Sequence, residues 1–385
     1  MRIPVISLSL CLLVAACGGG GSSTAVTPQA PNAGAPAMTL PKGGGAPVAG
    51  CPSGTFIVAS NTFESLHDSY TGAVLHIYGE QSGNAIGTVQ IDSMPNIVIG
   101  NAVMTTNATM AYVFQWNTPV DDFKSTAPQP ALTIVDLGTQ TITHQITFAG
   151  NLYWGILSND QTKLYAAGYD ASGFALFTFS AADGSQLGRI PLPAGSVFPY
   201  RVTLNPAGTE AYVLDVNAKQ IDAVNLVTNT SSVFYHLDPN QAQDNLAMNA
   251  AGTKLFMTQY YNTLVLDPNS AAVLGTIAPP ATSENFDMNA SWDRSTMFLV
   301  GPPLVGGSSD NEADVIPTTG SSITSMWNSG SFGDRSTVNT NGRFGLLWLP
   351  QFQSIDITAW QLPSGQGAYY VPTANNEVVY GVAAQ

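Results

Sequence analysis

Aromatic, amide and charged side chains recur where short, alternating runs of apolar residues begin or end. Aromatic rings stack on sugar rings and peptide planes, and amide and carboxylate groups form hydrogen bonds with the same ligands. Gathered on one face, these residue types favour the binding of a sugar or a peptide. The candidate binding residues are Trp116, Tyr153, Trp154, Tyr200, Arg201, Asp244, Asn285 and Asp287. The alternative interpretation is that these rings only pack neighbouring elements together.

Catalytic motifs are poorly represented in the chain. It contains neither Gly-x-Ser-x-Gly nor Ser-x-x-Lys, and no phosphate-binding loop or dinucleotide fingerprint. Asp244 could work with Glu284 or Asp287 as an acid–base pair, which leaves hydrolysis open as an alternative. No cofactor is predicted.

Metal binding is also weakly supported. The four histidines, His67, His76, His144 and His236, have no ligand spacing. Residues 310–314 place acids at alternate positions, as calcium loops do, but Val315 stands where such a loop needs glycine. We interpret this segment as a solvated acidic loop and predict no metal site.

The charge content excludes several classes of protein. Only 9% of the 385 residues are charged, against about 25% in soluble domains. The 11 basic residues are too few and too scattered for nucleic-acid binding. A helix-rich fold would need Glu, Lys and Arg on its outer face, which this chain lacks. We expect a monomer.

The first seventeen residues have the pattern of an export signal. Arg2 precedes an apolar stretch from Ile3 to Ala16, which is too short to cross a membrane as a helix. Val14-Ala15-Ala16-Cys17 resembles the lipobox of bacterial lipoproteins. That resemblance implies cleavage of residues 1–16 and lipidation of Cys17, and more than one acyl chain gives stable membrane anchoring. Because Gly18 follows, the resemblance favours the outer membrane of the cell envelope.

The segment after Cys17 reads as a flexible tether. Residues 18–50 contain nine Gly and five Pro, and Lys42 is their only charge. The predicted domains are therefore the signal 1–16, the lipidated cysteine and tether 17–50, and a folded domain 51–385. Cys51 is the only thiol that remains there, so an intrachain disulfide is excluded.

A degenerate repeat runs through residues 51–385. Its clearest copy is Asn205 to Leu214, and Asn249 to Met257 repeats it. The apolar anchors of the copies are Val58, Tyr112, Tyr165, Tyr212, Phe256, Phe298 and Leu346, which lie 42 to 54 residues apart. Each copy holds four alternating runs separated by Asn/Gly turns. Four strands per repeat are typical of a β-propeller blade, so we predict an all-β, seven-bladed β-propeller.

The motifs also resemble a known family. Ala211-Tyr-Val-Leu-Asp215, Ile221-Asp-Ala-Val-Asn225 and Thr228-Asn-Thr230 are similar to the YVTN-type seven-bladed propellers of exported bacterial proteins. Residues 378–383 form a lone final run, while the first repeat lacks an inner strand. We predict that this run completes blade one and closes the ring, which removes exposed sheet edges.

Three functions follow from these features. The first is a lipid-anchored envelope propeller that binds a protein, a peptide or a glycan, or acts as a scaffold. The second is a propeller hydrolase, lactonase-like or active on glycosides. The third is an outer-membrane assembly factor, as the resemblance to lipoprotein propellers implies.

Overall fold

The structure is a computed structural model that describes residues 54–384, with gaps at 65–68, 80–83, 96, 118–125, 240–242, 260–261, 278–286, 291–295, 302–311, 318–324, 329–334, 339–343, 352–353, 362–365 and 373–376. Side chains are described for 54–61, 72–79, 84–94, 97–116, 126–239, 245–259 and 262–277. Cys17 and the tether lie outside the described residues.

The regular secondary structure of the described residues consists of β-strands. The first ten strands are β1 (Thr55–Glu64), β2 (Ser69–Gly79), β3 (Ala85–Pro95), β4 (Ile97–Met104), β5 (Met110–Asn117), β6 (Pro128–Asp136), β7 (Thr141–Leu157), β8 (Lys163–Asp170), β9 (Gly173–Ser180) and β10 (Gln186–Pro191). The next eight are β11 (Pro199–Leu204), β12 (Glu210–Asp215), β13 (Gln220–Asn225), β14 (Thr230–His236), β15 (Gln243–Met248), β16 (Leu255–Gln259), β17 (Asn262–Leu266) and β18 (Val273–Ile277). The last nine are β19 (Asp287–Ala290), β20 (Thr296–Gly301), β21 (Glu312–Pro317), β22 (Ser325–Asn328), β23 (Arg335–Val338), β24 (Phe344–Gln351), β25 (Ser354–Gln361), β26 (Gln366–Pro372) and β27 (Glu377–Ala384). Among these residues there is no helix with the length and apolar character needed to span a membrane.

The strands form six antiparallel sheets. Five have four strands each: β27-β1-β2-β3, β11 to β14, β15 to β18, β19 to β22 and β23 to β26. The sixth has seven strands, β4 to β10, and consists of two four-stranded groups that share β7. Strand β7 pairs with β6 up to Ala149 and with β8 from Gly150 onward. The predicted four-stranded unit is therefore present, but two units are continuous because the chain stays extended where a loop was expected.

The repeated sequence corresponds to a repeated turn. The Asn205 Oδ1 atom accepts hydrogen bonds from the Thr209 and Glu210 amides at 2.9 and 3.1 Å, and Asn249 does the same four and five residues ahead. Gly208 closes the turn with a φ of +67°, which glycine adopts without steric cost. We call seven strands innermost because they contact one another: β27, β4, β7, β11, β15, β19 and β23. The seven apolar anchors lie on the strands that pair with them, namely β1, β5, β8, β12, β16, β20 and β24.

The last strand pairs with the first. Strand β27 is antiparallel to β1, with Phe56 opposite Ala384 and Thr62 opposite Glu377. The predicted pairing of the C-terminal run with the first repeat is confirmed. It joins the two ends of the domain in one sheet.

The core lies between the faces of neighbouring sheets. One buried cluster joins Ile57 and Leu75 of the first sheet to Val113 of the next group, and another joins Phe114 to Phe177. The innermost strands contact one another in the order β27, β4, β7, β11, β15, β19, β23 and again β27.

Buried side-chain amides connect neighbouring four-stranded groups. Asn101 on β4 donates to the Gly155 carbonyl at 2.7 Å and accepts from the Gly155 amide at 2.9 Å. Asn61 on β1 donates to the Ile97 carbonyl and accepts from the Ile99 amide, both at 2.8 Å. Each side chain satisfies buried backbone groups of the neighbouring four-stranded group, and so fixes the relative position of the two groups.

Candidate ligand-binding site

Two neighbouring inner strands carry irregularities at the predicted binding residues. The register of β7 shifts between Leu152 and Trp154, and that of β11 shifts between Pro199 and Arg201. The extra residues are Tyr153 and Tyr200. A bulge changes the direction of a side chain relative to the regular alternation of its strand. The side chains of these two tyrosines therefore do not follow the alternation of β7 and β11.

Five rings meet at this place and form what we call the aromatic cluster: Trp116, Tyr153, Trp154, Phe198 and Tyr200. Tyr153 lies edge-on to Trp116, with ring centroids 5.8 Å apart, and 4.9 Å from Phe198. Phe198 stacks on Tyr200 at 5.5 Å with an interplanar angle of 16°, and Tyr200 lies 5.6 Å from Trp154. Each such pair contributes about 0.5–1.5 kcal/mol beyond the burial of its area.

Arg201 lies against the same rings. Its guanidinium carbon is 3.5 Å from the centroid of Trp154 and 4.7 Å from that of Tyr200. The side chain is only 1% exposed, so the cation–π contact is desolvated and contributes about 2 kcal/mol. Arg201 therefore holds two rings of the cluster in place from below the surface.

The cluster has a buried floor and an accessible upper part. Tyr153 is fully buried, whereas Trp116, Trp154, Phe198 and Tyr200 are half-buried. The adjoining side chain of Val197 is 39% exposed. Because β5 ends at this side and β11 begins there, the accessible rings lie at one end of the inner strands. A rigid, partly exposed set of rings is suited to stacking on a flat, weakly polar ligand face.

Gly100 makes room for this arrangement. It stands at the register shift of β4, the strand next to β7. A Cβ atom there would overlap the Tyr153 carbonyl oxygen and would lie 3.6 Å from the Trp116 ring. The absence of a side chain therefore lets the Tyr153 backbone approach β4 closely.

A pair of buried acids lies behind the cluster. Asp215 ends β12, Asp222 lies in β13, and both are fully buried. Asp215 accepts hydrogen bonds from the Val197 amide at 2.7 Å and the Phe198 amide at 3.0 Å. Asp222 accepts from the Gln220 side-chain amide at 2.8 Å. The pair thus contacts the backbone of a residue that belongs to the cluster.

Burial decides the ionisation of the two acids. Burial raises the pKa of Asp215, while the N–H groups that it accepts from oppose the rise. Burial and then the charge of Asp215 raise the pKa of Asp222 to about 7. Two neighbouring carboxyl groups in a dry site cannot both ionise easily. Below about pH 7 the pair therefore retains a proton.

The structure brings together five of the predicted site residues, namely Trp116, Tyr153, Trp154, Tyr200 and Arg201. Asp244 lies in β15 and Asp287 begins β19, but their side chains are outside the described set. Asn285, Glu284, residues 310–314 and the lipidation residue Cys17 also lie outside the described residues.

Three residues of this site were not predicted from the sequence. Phe198 follows an irregular loop, where no periodic pattern indicates its direction. Asp215 and Asp222 are acids within apolar strands, and that position was the one available signal of their burial. In the part of the chain with described side chains, no three His, Cys, Asp or Glu residues are grouped so that they could hold a metal ion.

Comparisons with known proteins support the fold. The sequence matches no protein-family model and no curated protein. A putative 6-phosphogluconolactonase from Bacteroides uniformis is similar in structure, with a TM-score of 0.61, 12% identity, and coverage of 87% of this chain and 100% of that one. A periplasmic gluconolactonase from Pseudomonas aeruginosa has a TM-score of 0.59 and 12% identity over 84% of this chain and 97% of its own. A dihydro-heme d1 dehydrogenase has a TM-score of 0.53 and 13% identity over 91% and 79%. The chain thus has an all-β, propeller-like fold that is shared by proteins of different activity.

Proposed function

We propose that this protein is a closed seven-bladed β-propeller that binds a sugar-containing ligand at the aromatic cluster, and that a lipid on Cys17 anchors it in the bacterial cell envelope. The cyclic order of contacts among the innermost strands supports ring closure, since it returns to β27 after seven strands. The pairing of β27 with β1 supplies the joint.

The observation that carries the ligand proposal is the exposed part of the aromatic cluster. Trp116, Trp154, Phe198 and Tyr200 are held by one another and by Arg201 before any ligand arrives. A preorganised surface loses little side-chain entropy on binding. Apolar faces of sugar rings match such a surface, and the low charge of the chain suits a neutral ligand.

A glycan array probed with the full-length chain in detergent tests this proposal. We expect binding to defined oligosaccharides, and we expect Trp154→Ala and Tyr200→Ala each to weaken it at least tenfold. Tyr169→Ala is the matched control, because Tyr169 packs on Phe174 at 4.9 Å outside the cluster. If no saccharide binds, or if the control variant weakens binding as much, the proposal is wrong.

Anchoring is supported by the lipobox and by the length of the tether. We expect labelled palmitate to be incorporated into the wild-type chain and not into Cys17→Ser. We also expect the wild type to sediment with outer-membrane vesicles. Labelling of the serine variant would contradict lipidation at Cys17.

A second candidate is the hydrolysis of a sugar lactone, the activity named for two of the structural neighbours. The specific observation in its favour is Asp222, because a carboxyl with a pKa of about 7 is suited to proton transfer. A pH-indicator assay with glucono-δ-lactone and 6-phosphogluconolactone tests it. We expect turnover that Asp222→Asn abolishes, and a rate equal to spontaneous hydrolysis would exclude these substrates.

A further inference from the structure

A seven-residue connection, 192–198, leads from β10 into β11 and delivers Phe198 to the aromatic cluster. Within this connection, the Ser196 amide donates to the Pro193 carbonyl at 3.2 Å, and Gly195 has a φ of +102°. The connection is not part of a sheet ladder. The position of Phe198 therefore depends on the contacts that hold the end of this loop.

The Asp215 carboxylate supplies two of those contacts. Its Oδ2 atom accepts from the Val197 amide at 2.7 Å, and its Oδ1 atom accepts from the Phe198 amide at 3.0 Å and the Ala218 amide at 2.9 Å. Two successive peptide groups are thus bound by the two oxygens of one carboxylate. Hydrogen bonds to an ionised acceptor are about twice as strong as neutral ones.

The fold itself does not require acids at these places. In two other groups, the residues that occupy the positions of Asp215 and Asp222 are Gln115 with Thr133, and Gln259 with Leu264. Gln115 and Thr133 are joined by a hydrogen bond of 2.9 Å without any charge. The acid pair belongs only to the group that the Phe198 loop enters, among the groups whose side chains are described.

We propose that Asp215 is a positioning residue for ligand binding: by holding the Val197 and Phe198 amides, it keeps the Phe198 ring stacked on Tyr200 and completes the surface of the aromatic cluster. Asp222 contacts the same loop one residue earlier, since the Ser196 hydroxyl donates to its Oδ2 atom at 3.3 Å. This inference rests on the ligand-binding function proposed above, but its structural part can be tested without any ligand.

The first measurement is residue-resolved hydrogen exchange of the full-length chain in detergent. In the wild type, we expect the Val197 and Phe198 amides to exchange at least tenfold more slowly than unstructured amides. In Asp215→Asn, which retains one acceptor oxygen, we expect them to exchange at least tenfold faster than in the wild type. The Asp183→Asn variant is the matched control, because Asp183 accepts from the Ser185 amide in a different turn, and it should leave both amides protected.

The second measurement is the near-ultraviolet circular dichroism of the cluster, together with titration by cellotetraose. We expect Asp215→Asn and Phe198→Ala to lose the same part of the spectrum and to bind cellotetraose at least tenfold more weakly, whereas Asp183→Asn retains both properties.

Unprotected Val197 and Phe198 amides in the wild type would overturn the inference, even if the Asp215 variant failed to fold. An unchanged spectrum in a folded Asp215→Asn would also overturn it. If the wild type does not bind cellotetraose or any arrayed saccharide, the proposed function fails, while hydrogen exchange and the spectrum still decide the role of Asp215.

Discussion

The carboxyl of Asp222 makes the stability of this protein depend on pH in a direction opposite to that of most acids. Its pKa rises from 3.8 to about 7 on folding, because the group is buried beside Asp215. Between these two values the unfolded chain releases the proton and the folded chain keeps it. The contribution of Asp222 to stability is therefore most favourable at low pH and falls as pH rises toward 7.

The magnitude follows from the size of the shift. Each pH unit within this window costs the folded state about 1.4 kcal/mol. From pH 5 to pH 7 the loss is about 2 kcal/mol, and it levels off at about 3 kcal/mol by pH 8. Since Asp222 is fully buried, solvent does not screen this effect strongly.

The substitution Asp222→Asn removes this ionisation and preserves the shape of the side chain. Its carbonyl oxygen can still accept from the Gln220 amide, as the Asp222 Oδ1 atom does at 2.8 Å. We therefore expect the variant to be about 3 kcal/mol more stable relative to the wild type at pH 8 than at pH 5. The assay is urea unfolding at pH 5, 6, 7 and 8, followed by tryptophan fluorescence.

The other groups titrate in both the wild type and Asp222→Asn. Their contributions therefore cancel when the free energy of unfolding of one protein is subtracted from that of the other. Asp183→Asn is the control, because hydrogen bonds from Ser185 lower the pKa of Asp183 to about 2 and it stays ionised throughout this range. If the free energies of unfolding of the wild type and Asp222→Asn change in parallel with pH, then Asp222 does not keep its proton in the folded state and the reasoning is wrong.

Three other changes test the contacts between strands, each by urea unfolding. Asn101→Ala leaves the Gly155 amide and carbonyl buried without partners and should destabilise the fold by about 3 kcal/mol, so a loss below about 1 kcal/mol would contradict this role. Gly155→Ala introduces a Cβ atom that overlaps the Phe114 ring and should cost about 1–3 kcal/mol, and Phe114→Leu should restore part of it; no rescue would contradict the overlap. Deletion of residues 377–385 removes the partner of β1 and should unfold the domain, whereas an unchanged melting temperature would argue against a closed ring.

The strands near the clearest repeats were predicted closely. The motifs Ala211 to Asp215 and Ile221 to Asn225 were expected as strands of one repeat, and β12 and β13 begin and end within one residue of these bounds. The reason is that apolar alternation and Asn/Gly turns are local properties of the chain. The continuity of β7 was not predicted, because nothing local distinguishes an extended connection from a turn at Gly150.

The candidate site was predicted in part. Aromatic residues near the beginning of inner strands or at the end of second strands could be identified by position, and Trp116, Tyr153, Trp154 and Tyr200 do meet. Phe198 could not be identified, because the direction of its loop depends on Asp215, a residue of another strand. The sequence also could not indicate that Tyr153 is fully buried, since its exposure depends on Trp116 and Phe198.

The low charge of the chain and its repeat were determined by the sequence alone, and the pairing of its last run with its first was predicted from the same patterns. These features arise from composition and from patterns within short segments, and such patterns act before the chain is compact. The tertiary structure decided which rings touch, which acids are buried and which acid keeps a proton. Those properties depend on distances between residues that are far apart in the chain, and only the packing of neighbouring sheets sets those distances.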